Sequence, residues 1–460
     1  MAKIRKQDAL DYHSQGKPGK IEVVPTKPYS SQRDLSLAYS PGVAEPCLKI
    51  AENPDDAYKY TSKANLVAVI TNGTAVLGLG DIGPLASKPV MEGKGLLFKI
   101  FADIDVFDIE VDASDPELFI QTVKAISPTF GGINLEDIKA PEAFEIEERL
   151  KKELDIPIMH DDQHGTAIIS SAALLNALEL TNKKIDEVKI VISGAGASAM
   201  SCGKLYRSLG ATPENMYMFD SKGLLCKERK ELEGNKALFA VHEKDISLED
   251  AITGSDVFLG LSRGGLMSKE MVKSMAKNPI VFALANPDPE ITYKDAMSTR
   301  KDLIMATGRS DHPNQVNNVL GFPYIFRGAL DVRATTINEE MKLAAVHAIA
   351  SLAKESVPDE VSEAYGEKSI TFGKEQIIPK PLDPRLIYYV APAVAKAAMD
   401  SGVAKNPIHD WVKYEDELKK RLGLDNKLVR TLTEKAERNP KRVVFAEADN
   451  YKVLKAAQTA

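Results

Sequence analysis

The 460-residue sequence predicts an α/β protein. The expected layout is a smaller N-terminal α/β domain, a doubly wound parallel-sheet domain and a set of C-terminal helices. Three observations predict this. From about residue 65, short apolar runs alternate with longer helical patterns. A second set of such units begins at "EVKIVISGAGASAM", and sequential strand–helix–strand units favour a parallel sheet with ligands at the carboxyl ends of its strands. A glycine fingerprint sits between the first strand and helix of that second set, which makes the sheet Rossmann-like.

In chain order, "NLVAVITNG" reads as a strand, and "LLFKIF" and "VFDIEVD" follow as further strand segments. "TFGGINLEDI" is a strand ending in acids. "APEAFEIEERLKKEL" is a helix with Pro141 near its start, acids in its first turn and Lys151 and Lys152 in its last. "IPIMHDD" is the next strand, and "GTAIISSAALLNALEL" is a helix so apolar on every face that it must be buried. "NMYMFD", "SDVFLGLS", "PIVFALANP" and "LIMATGRS" continue the second set. Residues 338–356 and 385–400 are helical, and 409–437 is a charged helical connector. No internal repeat or low-complexity segment interrupts the pattern.

Bulk properties exclude several classes. The length predicts two or three domains with full cores. Net charge is −7 with both signs dispersed, so no electrostatic footprint for nucleic acid is present. No apolar run approaches the ~20 residues needed to span a bilayer. The N-terminus lacks the apolar core of a signal peptide. Cys47, Cys202 and Cys226 are scattered and odd in number, which fits reduced thiols. The expected location is the cytoplasm, with no membrane partner.

Two glycine loops compete for a dinucleotide: Gly78-x-Gly80-x-x-Gly83 and Gly194-x-Gly196-x-x-Ala199. Asp103 and Asp220 lie at a plausible ribose distance from each. Local context favours the second loop, because Ala199 runs into an uninterrupted helix whose N-terminal amides suit a pyrophosphate. After Gly83, a helix would have to contend with Pro84, Pro89, Gly93 and Gly95. The cofactor-binding set is therefore Gly194, Ala195, Gly196, Ala197, Ser198, Ala199 and Asp220. Ser221 and Lys222 beside Asp220 tilt the cofactor to NADP, with NAD as the alternative. The first loop is either a tight turn or a close approach to some ligand.

Glu136 and Asp137 end one strand, and Asp161 and Asp162 end the next. Neighbouring parallel strands would bring these carboxylates together, where a hard cation such as Mg²⁺ or Mn²⁺ relieves their repulsion. The rival readings are an Asp pair that caps the following helix, and a zinc site made from His160, Asp162 and His164. Asp103, Asp105, Asp108, Glu110 and Asp112, scattered along alternating positions, read as a solvated face.

With these pieces in place the chain resembles a malic enzyme of the bacterial type. The resemblance is carried by "DLSLAYSPGVAEPC", "NGTAVLGLGDIGP", "PVMEGKG", "FGGINLEDIKAPEAF", "HDDQHGTA", "SGAGASA", "FALANPDPE" and "GRSDHPNQVNNVLGFPYIFRGALD", in order over about residues 10 to 435. It implies metal-dependent oxidative decarboxylation of L-malate to pyruvate and CO₂ with reduction of NADP to NADPH, in a homodimer or higher homo-oligomer. By resemblance, Glu136, Asp137 and Asp162 are the metal ligands and Lys94 the general base, which requires a lowered pKa. Tyr39 is the proton donor to C3, within hydrogen-bond reach of Lys94, and Asp161 orients Lys94. Asn286 and Asn318 contact the substrate carboxylate or the nicotinamide, and Gly78, Leu79 and Gly80 line the cleft. One departure stands out: larger animal-type relatives carry a carboxylate-clamping arginine where this chain has Ala75.

The implied domains are 1–160 (catalytic Tyr and Lys with part of the metal site), 161–400 (dinucleotide binding), 401–440 (helical connector) and 441–460. That last stretch resembles the first 20 residues of a phosphate acetyltransferase-like domain, which implies acetyl-CoA as a regulator. Two competing readings are a metal-independent dehydrogenase and a nucleotide-sensing module without turnover.

Overall fold

The computed structural model describes residues 5–76, 78–367, 369–423, 442–446, 450 and 453–454. Among the described residues, ten strands fall into two sheets. The first contains β1 (Leu66–Thr71), β2 (Asp105–Glu110), β3 (Gly132–Leu135) and β4 (Ile158–His160). The second contains β5 (Ile190–Ser193), β6 (Met216–Asp220), β7 (Gly223–Leu224), β8 (Val257–Gly260), β9 (Ile280–Ala283) and β10 (Ile304–Thr307).

The first sheet has the order β2-β1-β3-β4 and is parallel throughout. All six residues of β1 are buried, as expected for a central parallel strand covered on both faces. The second sheet has the order β10-β9-β8-β5-β6-β7, with only the two-residue β7 antiparallel. Its chain order reverses beside β5, the crevice where doubly wound sheets take dinucleotides. The helix Asp161–Thr181 leads from one sheet to the other and has fifteen buried residues, in line with its uniformly apolar sequence. Among the described residues, no helix is long and apolar enough to cross a membrane.

Two expectations need correction. "LLFKIF" is no strand: it lies inside the helix Pro84–Ala102, which forms despite Pro89, Gly93 and Gly95. Tertiary packing overrides propensity here, because Met91, Gly95, Phe98 and Ala102 form its buried face. Gly95 lets this face approach β2 closely, since a Cβ there would sit 3.2 Å from a Val106 methyl and force it to shift. The acids of β2 are likewise not simply solvated. Lys88 of this helix covers Asp108 at 2.5 Å and Glu110 at 3.4 Å, leaving their side chains 6% and 15% exposed. Lys99 pairs with Asp103 and Asp105.

The helices Glu339–Leu352 and Leu386–Asp400 match the expected helical stretches. Of the connector, the helix Trp411–Arg421 is described, and 424–437 lies outside the described residues. Most of the tail does too, and 442–446 carries no strand.

Candidate active site

Parallel pairing of β3 with β4 puts Leu135 opposite His160, so the residues that follow, Glu136–Asp137 and Asp161–Asp162, leave the sheet side by side. Ligand oxygens of Glu136, Asp137 and Asp162 all lie within 4.8 Å of one another. Asp137 adopts a left-handed backbone (φ 54°), a conformation Asp tolerates better than most residues. Its N–H donates to Asp162 Oδ2 at 2.8 Å, and its carbonyl accepts from the Ala75 N–H at 2.9 Å. Burial and the carboxylates of Asp162, Asp161 and Asp137 push Glu136 well above the usual glutamate range against the pull of Lys94. A cluster of oxygens whose mutual repulsion disfavours ionisation fits Mg²⁺ or Mn²⁺.

The helix-cap alternative fails. His160 occupies the cap position without a capping bond, while both aspartates turn to other partners. Asp161 is fully buried and accepts from Lys94 Nζ at 2.7 Å and from Asn318 Nδ2 at 3.2 Å. The zinc constellation is not assembled either. His164 Nε2 lies 2.9 Å from Glu147 Oε2, and although the His160 ring stands 3.8 Å from Asp162 Oδ2, neither histidine joins the acids that could share one ion.

Lys94 Nζ sits 2.7 Å from both Glu136 and Asp161 and over the ring of Phe322. Burial would lower this lysine, yet Asp161, Glu136 and Asp162 together hold it well above the ordinary range. A lowered pKa, the expectation for a base, is thus not the state of the side chain between two bare carboxylates. Tyr39 departs further from expectation. It is 78% exposed, does not line the cavity around Lys94, and among the described residues makes no hydrogen bond to Lys94.

That cavity, about 650 Å³, is lined by Lys94, Glu136, Asp137, Asp162, Ser198, Asn286, Asn317 and Asn318, and by Ala75. The Asn318 side chain is occupied by Asp161 and by Thr166, whose hydroxyl donates to Oδ1 at 3.1 Å. Asn318 therefore supports Asp161, and Asn286, exposed and without a side-chain partner among the described residues, is the freer amide. Gly78 passes close to Asn286 and Pro287, Leu79 is exposed and Gly80 faces open space. The first glycine loop is a turn against the cleft's rim. Its turn is enforced by Gly73, where a Cβ would sit 2.2 Å from the Gly83 carbonyl.

The second loop meets each requirement of a dinucleotide turn. Gly194 has φ 123°, and a Cβ there would lie 2.6 Å from the Leu261 carbonyl. Gly196 faces open space, so a pyrophosphate can approach the backbone, and Ala199, 1% exposed, is buried in the first turn of the helix Ala197–Ser208. A cavity of about 870 Å³ runs from Gly194, Ala195 and Gly196 to Asp220 and Ser221, and it shares Gly196 and Ser262 with the cavity around Lys94. The Ser198 hydroxyl donates to the Asp162 carbonyl at 2.5 Å, which ties the dinucleotide loop to the acid cluster. Lys222, next in sequence to the cavity-lining Ser221, is exposed and is not part of the lining.

Sequence reasoning missed four residues here. Ser262 and Arg263 line the large cavity after β8, and the rule that ligands sit at strand carboxyl ends pointed to them. Arg229 and Lys236, both paired with Asp220, come from a charged run with no motif.

Fold and site thus define a dinucleotide-binding α/β protein with an acid cluster suited to a divalent cation. Two family models match the chain: the malic enzyme N-terminal domain over residues 18–151 and the malic enzyme NAD binding domain over 163–365. The chain is 58% identical over 455 residues to the NADP-dependent malic enzyme of Salmonella typhimurium, covering 98% of this chain and 60% of that one. It is 56% identical over 456 residues to an NAD-dependent malic enzyme of Rhizobium meliloti, covering 98% and 59%. The solved malic enzyme structure from Pyrococcus horikoshii matches with a TM-score of 0.82 at 41% identity, covering 94% of this chain and 99% of that one. The chain belongs to the malic enzyme family, and it spans about three-fifths of the length of these two curated relatives.

Proposed function

We propose that the protein carries out metal-dependent oxidative decarboxylation of L-malate to pyruvate and CO₂ with reduction of NADP to NADPH. The observation that carries this reading is the convergence of Glu136, Asp137 and Asp162 with Lys94 in a cavity that opens onto the Gly194 loop. Residues 1–160 and 161–400 act as the catalytic and dinucleotide-binding domains in this reading. Mg²⁺ or Mn²⁺ held by the three acids supplies Lewis acidity at the 2-oxygen of malate.

The chain's own groups do the rest. The C2 hydride goes to the nicotinamide and the 2-hydroxyl proton goes to Lys94, whose amine would be freed as a base where a bound cation takes up the charge of Glu136 and burial outweighs the remaining pull of Asp161. Asp161, held by Asn318, aims that amine. Asn286 offers its amide to a malate carboxylate or the nicotinamide, in place of the arginine that Ala75 replaces. After CO₂ leaves, Tyr39 protonates C3 of the enol. Because Tyr39 is exposed in its own chain, it serves the site of a second copy, which makes the protein a homodimer at least. The resemblance of 441–460 extends the reading to control by acetyl-CoA, tested by titrating acetyl-CoA into the malate assay.

The deciding experiment measures NADPH and pyruvate formed from L-malate with and without Mn²⁺. Turnover to pyruvate only with metal is expected. Metal-independent turnover, or oxaloacetate as sole product, overturns the reading. Calorimetric titration with Mn²⁺ should show Asp162→Asn binding at least about tenfold more weakly than the parent, the scale for losing a charged oxygen ligand.

A further inference from the structure

A further cavity, of about 280 Å³, shares no lining residue with the two already described. Apart from Asn235, its lining comes from four helices: Glu142–Glu153, Asp161–Thr181, Ala197–Ser208 and Glu339–Leu352. Three lysines and three glutamates face it, and their pairing is unequal. Glu147 Oε1 accepts from Lys151 Nζ at 2.7 Å and from the His160 N–H at 3.1 Å, and His164 Nε2 lies 2.9 Å from Oε2. Glu148 accepts from Lys152 at 2.6 Å. Those two acids are matched by lysines of their own helix.

Lys204 and Lys342 are matched by no acid. Lys204 Nζ donates to the Asn235 amide oxygen at 2.6 Å, and Lys342 Nζ has His164 Nδ1 as its partner at 3.5 Å. A lysine donor makes Nδ1 the acceptor, so the imidazole keeps its one proton on Nε2, facing Glu147, and is neutral. Among the described residues neither lysine forms an ion pair. Glu339 accepts from the Ser208 hydroxyl at 2.5 Å and offsets one of the two charges, which leaves the cavity one positive charge in excess. Burial, reinforced by Lys151, pulls the Lys342 ammonium down to about 8, as expected of a cation short of counter-charge. Ser201 adds a neutral donor. It lines the cavity at 8% exposed, and its hydroxyl has no partner among the described residues. An uncompensated ammonium and an unpaired buried hydroxyl both gain from a ligand that accepts hydrogen bonds and carries negative charge.

We infer that Lys342, Lys204 and Ser201 form a binding site for a compact oxyanion, a phosphate or a small carboxylate, separate from the acid cluster and the Gly194 loop. The cavity is smaller than the range that holds drug-sized ligands, so an anion of few atoms fits and a nucleotide does not. The inference goes beyond the reaction proposed above and does not depend on it.

Calorimetry with NADP present, to fill the Gly194 cavity, tests this with two probes, inorganic phosphate and succinate. At least one should bind the parent, and the tighter of the two identifies the group. Lys342→Met and Lys204→Met should each weaken that binding about tenfold or more, the scale of one charge-assisted hydrogen bond. Ser201→Ala should weaken it about fivefold, the scale of a neutral one. Lys273→Met, which alters an exposed lysine outside the cavity, should leave it unchanged. Lys342→Met also removes a buried cation that has no counter-ion. Its urea midpoint without ligand should therefore equal or exceed the parent's, which shows in addition that the variant folds. Failure of both probes to bind the parent, unchanged binding in either cavity-lysine variant, an equal loss in Lys273→Met, or a lower midpoint for Lys342→Met overturns the inference.

Discussion

Glu110 shows how far a single carboxylate can change under a neighbouring helix. Burial and the adjacent Asp108 push it up to about 7 against the pull of Lys88. The native state therefore holds a proton that the unfolded chain, at its ordinary glutamate value, has released. Between the ordinary glutamate value of 4.5 and about 7 the native state binds more protons, so this group's contribution to stability is present below that window and lost as pH rises through it. Urea unfolding at about pH 5 and about pH 8 should show the parent losing stability across the interval, and Glu110→Gln should lose less. An equal loss in both proteins would remove Glu110 as the cause. The alternation of acids along β2 told which side chains share a face. It did not tell that Lys88, twenty-two residues before Glu110 in sequence, would cover that face. Asp137 and Asp162 were legible for the opposite reason: the strand-end positions that bring them together are fixed by local sequence and by parallel pairing.

At the scale of elements, the five parallel strands of the second sheet and the Gly194 turn could be read because each carries its own signal, a short apolar run, a glycine at positive φ or a helix with a free N-terminus, while the two-residue β7 carried none. "LLFKIF" could not, because a six-residue apolar run is the same in a buried helix as in a strand. What makes it helical is its neighbours, Phe98 stacking edge-on against Phe322 and Phe326 of the helix Phe322–Asp331. That same helix carries Arg327, 2% exposed, which pairs with Asp331 at 2.5 Å and donates to the Asn65 side chain at 2.6 Å. The Tyr414 hydroxyl donates to the other end of this network, Asp331 Oδ2, at 2.8 Å. Helices far apart in sequence are thus joined to the start of β1 through one guanidinium. Arg327→Met leaves Asp331, half-buried with its side chain 14% exposed, without its cation and should cost about 3 kcal/mol, the lower end for breaking one side of a buried pair. Chemical denaturation would read this as a lower midpoint with an unchanged slope. A cost below about 1 kcal/mol, the level of a surface pair, would mean the network is not a structural lock.

The whole molecule poses a question that one chain leaves open. The helices Lys6–Ser14, Gln32–Ala38 and Ala44–Glu52 bury none of their residues. They expose Leu10, Tyr12, Leu35, Leu37 and Leu48, each more than half accessible. Apolar side chains exposed in this way are what an association face offers, and Tyr39 directly follows the second of these helices. The motif around Tyr39 was legible in the sequence, but its exposure was not, because a motif places a side chain on an element without showing what that element packs against. In a two-fold dimer the same face serves both subunits, so each would supply Tyr39 to the other's Lys94. Complementation separates this from a tyrosine acting within its own chain. Tyr39→Phe and Lys94→Ala should each be inactive or strongly impaired alone. After mixing under conditions that exchange subunits, random reassociation makes about half the dimers mixed, each with one complete site, so activity should recover to about a quarter of the parent's. If Tyr39 served its own chain, both sites of every mixed dimer would lack one group, and mixing would restore nothing.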